Sequence, residues 1–92
     1  MITQVLIPKK VIKVLKTLPD YIIDKFEIWV ETVQLIGIEE VRKIPGYHDE
    51  PLKGQRQGQR SIRLNRSYRA IYKLTKTSLY FVEIIEVNNH DY

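Results

Sequence analysis

The residues best suited to chemistry in this 92-residue chain lie from its midpoint to its end. Glu50 directly precedes a long basic segment that contains several arginines, and His90 and Tyr92 stand at the end of the sequence. A carboxylate can act as a general base, a guanidinium can stabilise a crowded phosphate, and a histidine can act as a general acid. These are the groups needed to cleave RNA through its 2′-hydroxyl without a metal. Residue types alone do not assign the roles.

Residues 52–78 form a basic block that contains eight Lys/Arg and no Asp/Glu. Residues 51–92 carry eight Lys/Arg against three Asp/Glu, whereas residues 1–50 carry seven against eight. Five of the eight basic residues are arginines, whose guanidinium groups match phosphate oxygens bidentately, so the block favours a polyanionic partner. The alternative is a solvated basic face that only keeps the protein soluble. The eight residues are Lys53, Arg56, Arg60, Arg63, Arg66, Arg69, Lys73 and Lys76.

Composition excludes several other kinds of site. The absence of cysteine excludes disulfides, thiolate nucleophiles and Cys-ligated metals. The two histidines, His48 and His90, lack the spacing of metal ligands, so we expect no metal and no cofactor. The longest apolar run is Leu79–Val82, which is too short for a membrane span or a secretory signal, and we expect a cytoplasmic protein with no membrane partner.

The hydrophobic pattern predicts a single α+β domain over residues 1–92. Two helices are expected to pack on one face of an antiparallel sheet, which has an N-terminal strand and ends in a three-stranded meander. The other face is expected to be exposed. The predicted elements are a strand over Ile2–Ile7, a helix over Pro8–Leu18, a longer helix over Asp20–Ile36, one or two helical turns over Ile38–Ile44, a loop over Pro45–Gln59, and strands over Ser61–Leu64, Tyr68–Leu74 and Leu79–Val87.

The exposed sheet face is predicted to be rich in basic residues. Successive strand residues point to opposite faces, so Arg63, Arg69 and Lys73 lie opposite the apolar residues of the same strands. Among the tyrosines, Tyr47 and Tyr92 are the ones that we expect to be free to stack on a base. Together these residues predict a basic surface with an aromatic contribution.

Four short segments, taken in order, resemble the RelE/ParE superfamily of toxin–antitoxin toxins and, within it, the YoeB-like and HigB-like branch. The resemblance implies a small mRNA endonuclease that works on message in the ribosomal decoding site. It also implies a cognate antitoxin that wraps and neutralises the protein. The segments are Glu50-Pro51-Leu52-Lys53-Gly54, Ser61-Ile62-Arg63-Leu64, Tyr68-Arg69-Ala70-Ile71-Tyr72 and His90-Asp91-Tyr92.

The resemblance also implies roles for individual residues. Glu50 takes the place of the general base, Arg69 that of the phosphate-stabilising arginine, and His90 that of the general acid. Tyr92 matches the aromatic residue that ends the chain, but Asp91 separates it from His90, whereas the two are adjacent in YoeB-like toxins. The residues expected to bind the RNA backbone are Lys53, Arg56, Arg60, Arg63 and Lys73.

Two other functions fit the same resemblance. A ParE-like toxin poisons DNA gyrase without cutting RNA, and an inactive toxin fold would only bind its antitoxin. Glu50 and His90 favour the nuclease, because the ParE-like branch generally lacks this set. Under each hypothesis the expected partner is an antitoxin with an acidic or amphipathic segment. Neither a role of the ribosome nor a homo-oligomer follows from the sequence.

Overall fold

A five-stranded mixed sheet and three helices make up the part of the chain that the computed structural model describes, residues 1–77 and 79–89. The α+β class and the order of the main elements are as expected. No helix in these residues is long and apolar enough to cross a membrane. The elements are β1 (Val5–Leu6), α1 (Lys9–Leu15), α2 (Asp20–Ile36), α3 (Ile38–Val41), β2 (Glu50–Pro51), β3 (Gln59–Arg63), β4 (Tyr68–Lys76) and β5 (Tyr80–Asn89), with 3₁₀ turns at Pro45–Tyr47 and Gly54–Arg56.

The strands follow the order β1-β5-β4-β3-β2. β1 is parallel to β5, and the other neighbours are antiparallel. β2 lies within the segment predicted to be a loop, so that prediction was wrong at Glu50–Pro51. Two residues are too few to show the period-two pattern of a strand, and β2 exists because β3 supplies its hydrogen-bonding partner.

Helix α2 carries the centre of the core. Its apolar residues Ile22, Phe26, Trp29 and Val33 recur at spacings of three and four, and each is at most 1% exposed. The Trp29 ring lies 6.2 Å from that of Phe26 and 5.4 Å from that of Tyr72 on β4, measured between centroids. Trp29 therefore joins the helical layer to the sheet.

Gly37 ends α2 and ties the N-terminal segment to it. Its φ of 86° lies in the region that favours glycine, and a Cβ here would come within 2.5 Å of Met1 Cγ. The next residue, Ile38, donates its backbone N–H to the Ile2 carbonyl at 2.8 Å. The Ile2 N–H in turn donates to Glu39 Oε1, which lowers the pKa of the exposed Glu39 carboxyl. These bonds hold the segment that leads into β1.

Pairing in the sheet separates a helix-facing side from an outer face. Ala70 and Tyr72 of β4 are fully buried in the core on the helix-facing side. Arg69 and Ile71 alternate with them and lie on the outer face. A β-bulge lies between Ile71 and Tyr72, whose partners on β5 are Glu86 and Ile84. Because of this bulge, Glu86 lies on the outer face, opposite Ile71. The predicted outward placement of the arginine of β4 is confirmed.

The burial of Trp29 predicts that Trp29→Ala lowers the free energy of unfolding by about 3–5 kcal/mol, because the truncation leaves a cavity that the surrounding core fills only partly. Leu35→Ala on the same helix is the matched control, since Leu35 is 78% exposed, and it should change stability by less than about 0.5 kcal/mol. Urea denaturation followed by circular dichroism measures both. Equal losses in the two variants would contradict the assigned core.

Candidate active site

Three neighbouring strands bring Glu50, Ser61 and Arg69 together on the outer face. Glu50 of β2 pairs with Ser61 of β3, and Ser61 pairs with Ile71 of β4. Arg69 lies two residues before Ile71 and therefore on the same face. Arg69 Nη1 donates to Ser61 Oγ at 3.0 Å and lies 3.6 Å from Glu50 Oε1. The general base and the phosphate-stabilising arginine expected from the sequence are therefore adjacent.

The cation and the carboxylate differ in exposure. The Arg69 side chain is 11% exposed, whereas that of Glu50 is 60% exposed. The 3.6 Å separation exceeds hydrogen-bond length, so the two groups form an ion pair without a shared proton. The guanidinium is held by a 2%-exposed Ser61, while the carboxylate stays accessible at the sheet edge. Such a pair can bind a ligand that has both a phosphate group, for Arg69, and a proton that Glu50 can remove.

A second arginine lies directly across the strand pair. Arg63 of β3 is in register with Arg69 of β4, and both lie on the outer face. Like charges placed opposite each other destabilise a sheet unless an anion screens them. Within residues 1–77 and 79–89, the Arg63 side chain has no hydrogen bond or ion pair. Arg63 and Arg69 together favour an oxyanion at this point.

Acidic residues of β5 offset part of the basic charge of the outer face. Arg56 donates to Glu86 of β5 and, at 2.9 Å, to Gln59 Oε1, which links the turn before β3 to β5. Lys73 lies opposite Glu83 of β5. The basic block contains no acid in sequence, but strand pairing brings carboxylates from outside it. Arg56 and Lys73 therefore lie on the expected face with acidic neighbours.

Several solved structures share this fold over nearly the whole chain. A RelE from an archaeal RelE–RelB complex of Pyrococcus horikoshii superposes with a TM-score of 0.72 at 24% identity, covering 97% of this chain and 96% of that one. A chain of the YoeB–YefM complex of Staphylococcus aureus gives 0.71 at 15% identity, covering 99% and 100%. The chain has the fold of the RelE/YoeB toxins. A YoeB/ParE toxin of Agrobacterium tumefaciens gives 0.69 at 17% identity, covering 96% and 99%.

No family model and no curated protein matches the amino-acid sequence. The likeness to the RelE-like fold therefore rests on structure, at identities at which the shape of the backbone is retained and the side chains have largely changed.

Arg60, one of the residues expected to bind the RNA backbone, lies on the side of the sheet opposite to Arg69. It pairs with Tyr72 of β4, on the helix-facing side, and its Nε donates to Asp49 Oδ1 at 2.5 Å. The Tyr72 hydroxyl donates to Asp49 Oδ2 at 2.5 Å, and Arg42 Nε donates to the Tyr72 oxygen at 3.2 Å. Because Arg60 is one residue out of phase with Ser61, it lies on the side of the sheet opposite to Arg69. Its expected role in binding the RNA backbone stays a prediction.

Burial and the neighbouring carboxylate set the protonation of this network. Burial, followed by the hydrogen bond to Asp49, raises the pKa of the Tyr72 hydroxyl, so the phenol keeps its proton and remains a donor. Burial acts to lower the pKa of the Arg60 guanidinium, but the hydrogen bond and charge of Asp49 outweigh it and raise that pKa. The Asp49 side chain is 0% exposed, so these donors compensate a buried charge.

The remaining predicted residues divide into two groups. Lys53 is exposed on the loop before β3. His90 and Tyr92, the expected general acid and terminal aromatic, lie outside the described residues. Tyr47 was expected to be free to stack on a base, and that was wrong, because it is 6% exposed and packs against the core, with Lys25 Nζ 5.1 Å from its ring centroid.

Sequence reasoning missed Ser61, Asp49 and Arg42. Ser61 begins a segment whose alternating apolar residues predict a strand. Its hydroxyl contacts Arg69 only because of the β3–β4 register. Asp49 and Arg42 lie in helical and loop segments with no motif. Within residues 1–77 and 79–89, no three His, Asp or Glu side chains form a cluster that could hold a metal ion.

The network predicts how Tyr72→Phe changes stability with pH. At neutral pH the variant should lose about 1–3 kcal/mol, because buried Asp49 loses a donor. The pKa of Tyr72 is higher in the folded state than in the unfolded state. The contribution of its hydroxyl to the free energy of unfolding is therefore complete below the unfolded pKa of about 10 and declines as the pH rises above that value. The difference in the free energy of unfolding between wild type and Tyr72→Phe should therefore become smaller between about pH 10 and 12.

Urea denaturation at several pH values measures this difference. Tyr21→Phe is the control, since Tyr21 is 63% exposed, and it should leave stability nearly unchanged throughout. A difference between wild type and Tyr72→Phe that is absent at neutral pH, or that grows with pH, would contradict the assigned network.

Proposed function

We propose that this chain is the toxin of a toxin–antitoxin pair and that it cleaves RNA by attack of the 2′-hydroxyl, without a metal. The observation that carries the proposal is the position of Arg69 Nη1, 3.0 Å from Ser61 Oγ and 3.6 Å from Glu50 Oε1, on the outer face of a RelE-like sheet. This arrangement puts a fixed cation beside an accessible carboxylate. Both groups are needed at one ribose–phosphate linkage.

In the proposed reaction, Glu50 removes the proton of the ribose 2′-hydroxyl. The 2′-oxygen forms a bond to the adjacent phosphorus, and the bond from phosphorus to the 5′-oxygen breaks. Arg69 stabilises the negative charge that builds up on the phosphoryl oxygens. His90 donates a proton to the departing 5′-oxygen, as the sequence resemblance implies. The products are a 2′,3′-cyclic phosphate, which can open to a 3′-phosphate, and a 5′-hydroxyl.

The surroundings of Arg69 suit this role. Its side chain is largely buried and is held by Ser61, so the charge is oriented before the substrate arrives. A charge in a partly water-excluded position interacts more strongly than one in bulk water. An entering phosphate would take the place of the Glu50 carboxylate next to Arg69, and this exchange frees the carboxylate to accept a proton.

The same fold supports a proposal for the substrate and for the protein partner. Lys53, Arg63 and Lys73 are proposed to contact the RNA backbone around the cleaved linkage. We propose message as the substrate, translated on the ribosome, and a cognate antitoxin as the protein partner. Structures that share the fold come from RelE–RelB and YoeB–YefM complexes, which supports a protein partner of this kind.

The mechanism predicts that Arg69→Ala and Glu50→Gln each slow RNA cleavage by about 10²–10⁴-fold. His90→Ala should have an effect of similar size. The measurement is single-turnover cleavage of a radiolabelled message, on ribosomes and free, with the chemistry of the new ends determined. A substrate with a 2′-deoxyribose at the cleaved position should not be cleaved by the wild type or by any variant.

Arg66→Ala is the matched control, because Arg66 is an exposed arginine in the turn between β3 and β4, outside the strand positions that form the site. It should retain most of the cleavage rate. Wild-type rates in both Arg69→Ala and Glu50→Gln, at preserved thermal stability, would overturn the assignment.

Growth arrest in cells separates the nuclease from the ParE-like alternative. Induced expression should deplete full-length message before any DNA-damage response rises, and Arg69→Ala should relieve the arrest at equal protein level. DNA damage that precedes message loss would instead identify a gyrase poison.

A further inference from the structure

A basic cavity lies on the helix-facing side of the sheet, opposite the face that carries the proposed active site. It has a volume of about 220 Å³ at the edge formed by β2 and β3. The charged residues in its wall are two arginines, one from the segment after α3 and one from β3. Its lining residues are Arg42, Pro51, Gly58, Gln59, Arg60 and Leu74.

The balance of charge in this cavity favours an anion. Asp49, the carboxylate that pairs with Arg60, is 0% exposed and does not belong to the lining. It offsets one of the two guanidinium charges. Tyr72 adds no negative charge, because burial and Asp49 keep its hydroxyl protonated. The lining itself therefore contains two guanidinium groups and no carboxylate.

The two guanidinium groups are held in position by a continuous chain of hydrogen bonds. Arg42 Nε binds the Tyr72 hydroxyl, that hydroxyl binds Asp49, and Asp49 binds Arg60 Nε. A guanidinium carries five N–H donors, so bonds through Nε leave donors for a ligand. Two oriented guanidiniums match the tetrahedral oxygens of a phosphate group, which binds them bidentately.

The position of the cavity connects it to the proposed cleavage site. Glu50 and Pro51 are consecutive residues of the two-residue edge strand β2, and successive strand residues point to opposite faces. Glu50 therefore lies at the outer face, while Pro51 lines the cavity. Only this two-residue edge strand therefore separates Glu50 from the cavity.

We propose that the cavity between Arg42 and Arg60 binds a backbone phosphate of the RNA, at a nucleotide flanking the cleaved linkage. This inference rests on the proposed function, since it extends the path of the same substrate. It gives Arg60 a phosphate to bind, but on the side of the sheet opposite to Arg69. It also gives Arg42, which no sequence motif marks, a role in substrate binding.

The test measures binding of an oligonucleotide with 2′-O-methyl riboses, which cannot be cut by 2′-hydroxyl attack. Arg42→Gln should weaken binding about three- to tenfold, because a charged phosphate contact is lost. It should also reduce the slope of log affinity against log salt by about 0.7, as expected for one phosphate of a single strand. Fluorescence anisotropy at several salt concentrations gives both quantities.

Lys43→Gln is the matched control. It removes the same charge one residue away, but Lys43 is 75% exposed and already pairs with Glu40 at 3.0 Å. It should change affinity by less than about twofold. Glutamine at Arg42 can still donate to Tyr72, and thermal unfolding of each variant checks the fold. Arg60→Lys, which retains the charge beside Asp49, provides a second variant and should also weaken binding, because lysine lacks the planar fork.

Side-chain NMR separates RNA from a free anion as the occupant. The Nε–Hε signals of Arg42 and Arg60 should shift when the 2′-O-methyl oligonucleotide is added. Shifts with inorganic phosphate but none with the oligonucleotide would identify a site for free phosphate and overturn the RNA assignment. Equal affinity and salt slope in Arg42→Gln and Lys43→Gln would overturn the site itself.

The outcomes distinguish this inference from the proposed function. If Arg69→Ala abolishes cleavage while Arg42→Gln binds as the control does, the cavity proposal fails and the nuclease stands. If Arg42→Gln weakens oligonucleotide binding but the wild type cuts no RNA, the cavity proposal stands and the nuclease fails.

Discussion

The hydrogen bond from Arg69 to Ser61 is the interaction on which the proposed site depends. It exists because β2, β3 and β4 pair in a register that brings Glu50, Ser61 and Arg69 to one face. A slip of one residue between β3 and β4 would turn Ser61 or Arg69 towards the helices. The chemistry therefore rests on strand register more than on the shape of any loop.

Two consecutive carboxylates show how the fold divides similar residues between different tasks. Asp49 is buried and holds Tyr72 and Arg60, whereas its neighbour Glu50 is largely exposed beside Arg69. Tyr72 in turn packs against Trp29 of α2. The helical core thus fixes the segment that enters β2, and through it the position of Glu50. The buried Asp49 therefore helps to position the exposed Glu50.

Much of this could be predicted from the sequence, because the signals were local. Period-two alternation placed Arg63 and Arg69 on the outer face, and helical spacing placed Trp29 in the core. The rest depends on contacts between distant segments. Arg60 follows the strand alternation to the helix-facing side, but its partner Asp49 lies in an irregular segment whose path no periodicity reveals. The burial of Tyr47 could not be predicted for the same reason. Its segment is rich in Pro and Gly, a composition typical of an exposed loop, but the side chain packs against the core.

The most direct test is a crystal structure of the chain with a dinucleotide that carries a 2′-O-methyl group at the reacting ribose. The account predicts that the phosphate binds Arg69, that the Glu50–Arg69 ion pair has opened, and that the Glu50 carboxylate lies within about 3–4 Å of the 2′-oxygen. A dinucleotide bound away from Arg69, or one bound with Glu50 still paired to Arg69 and remote from the ribose, would contradict it.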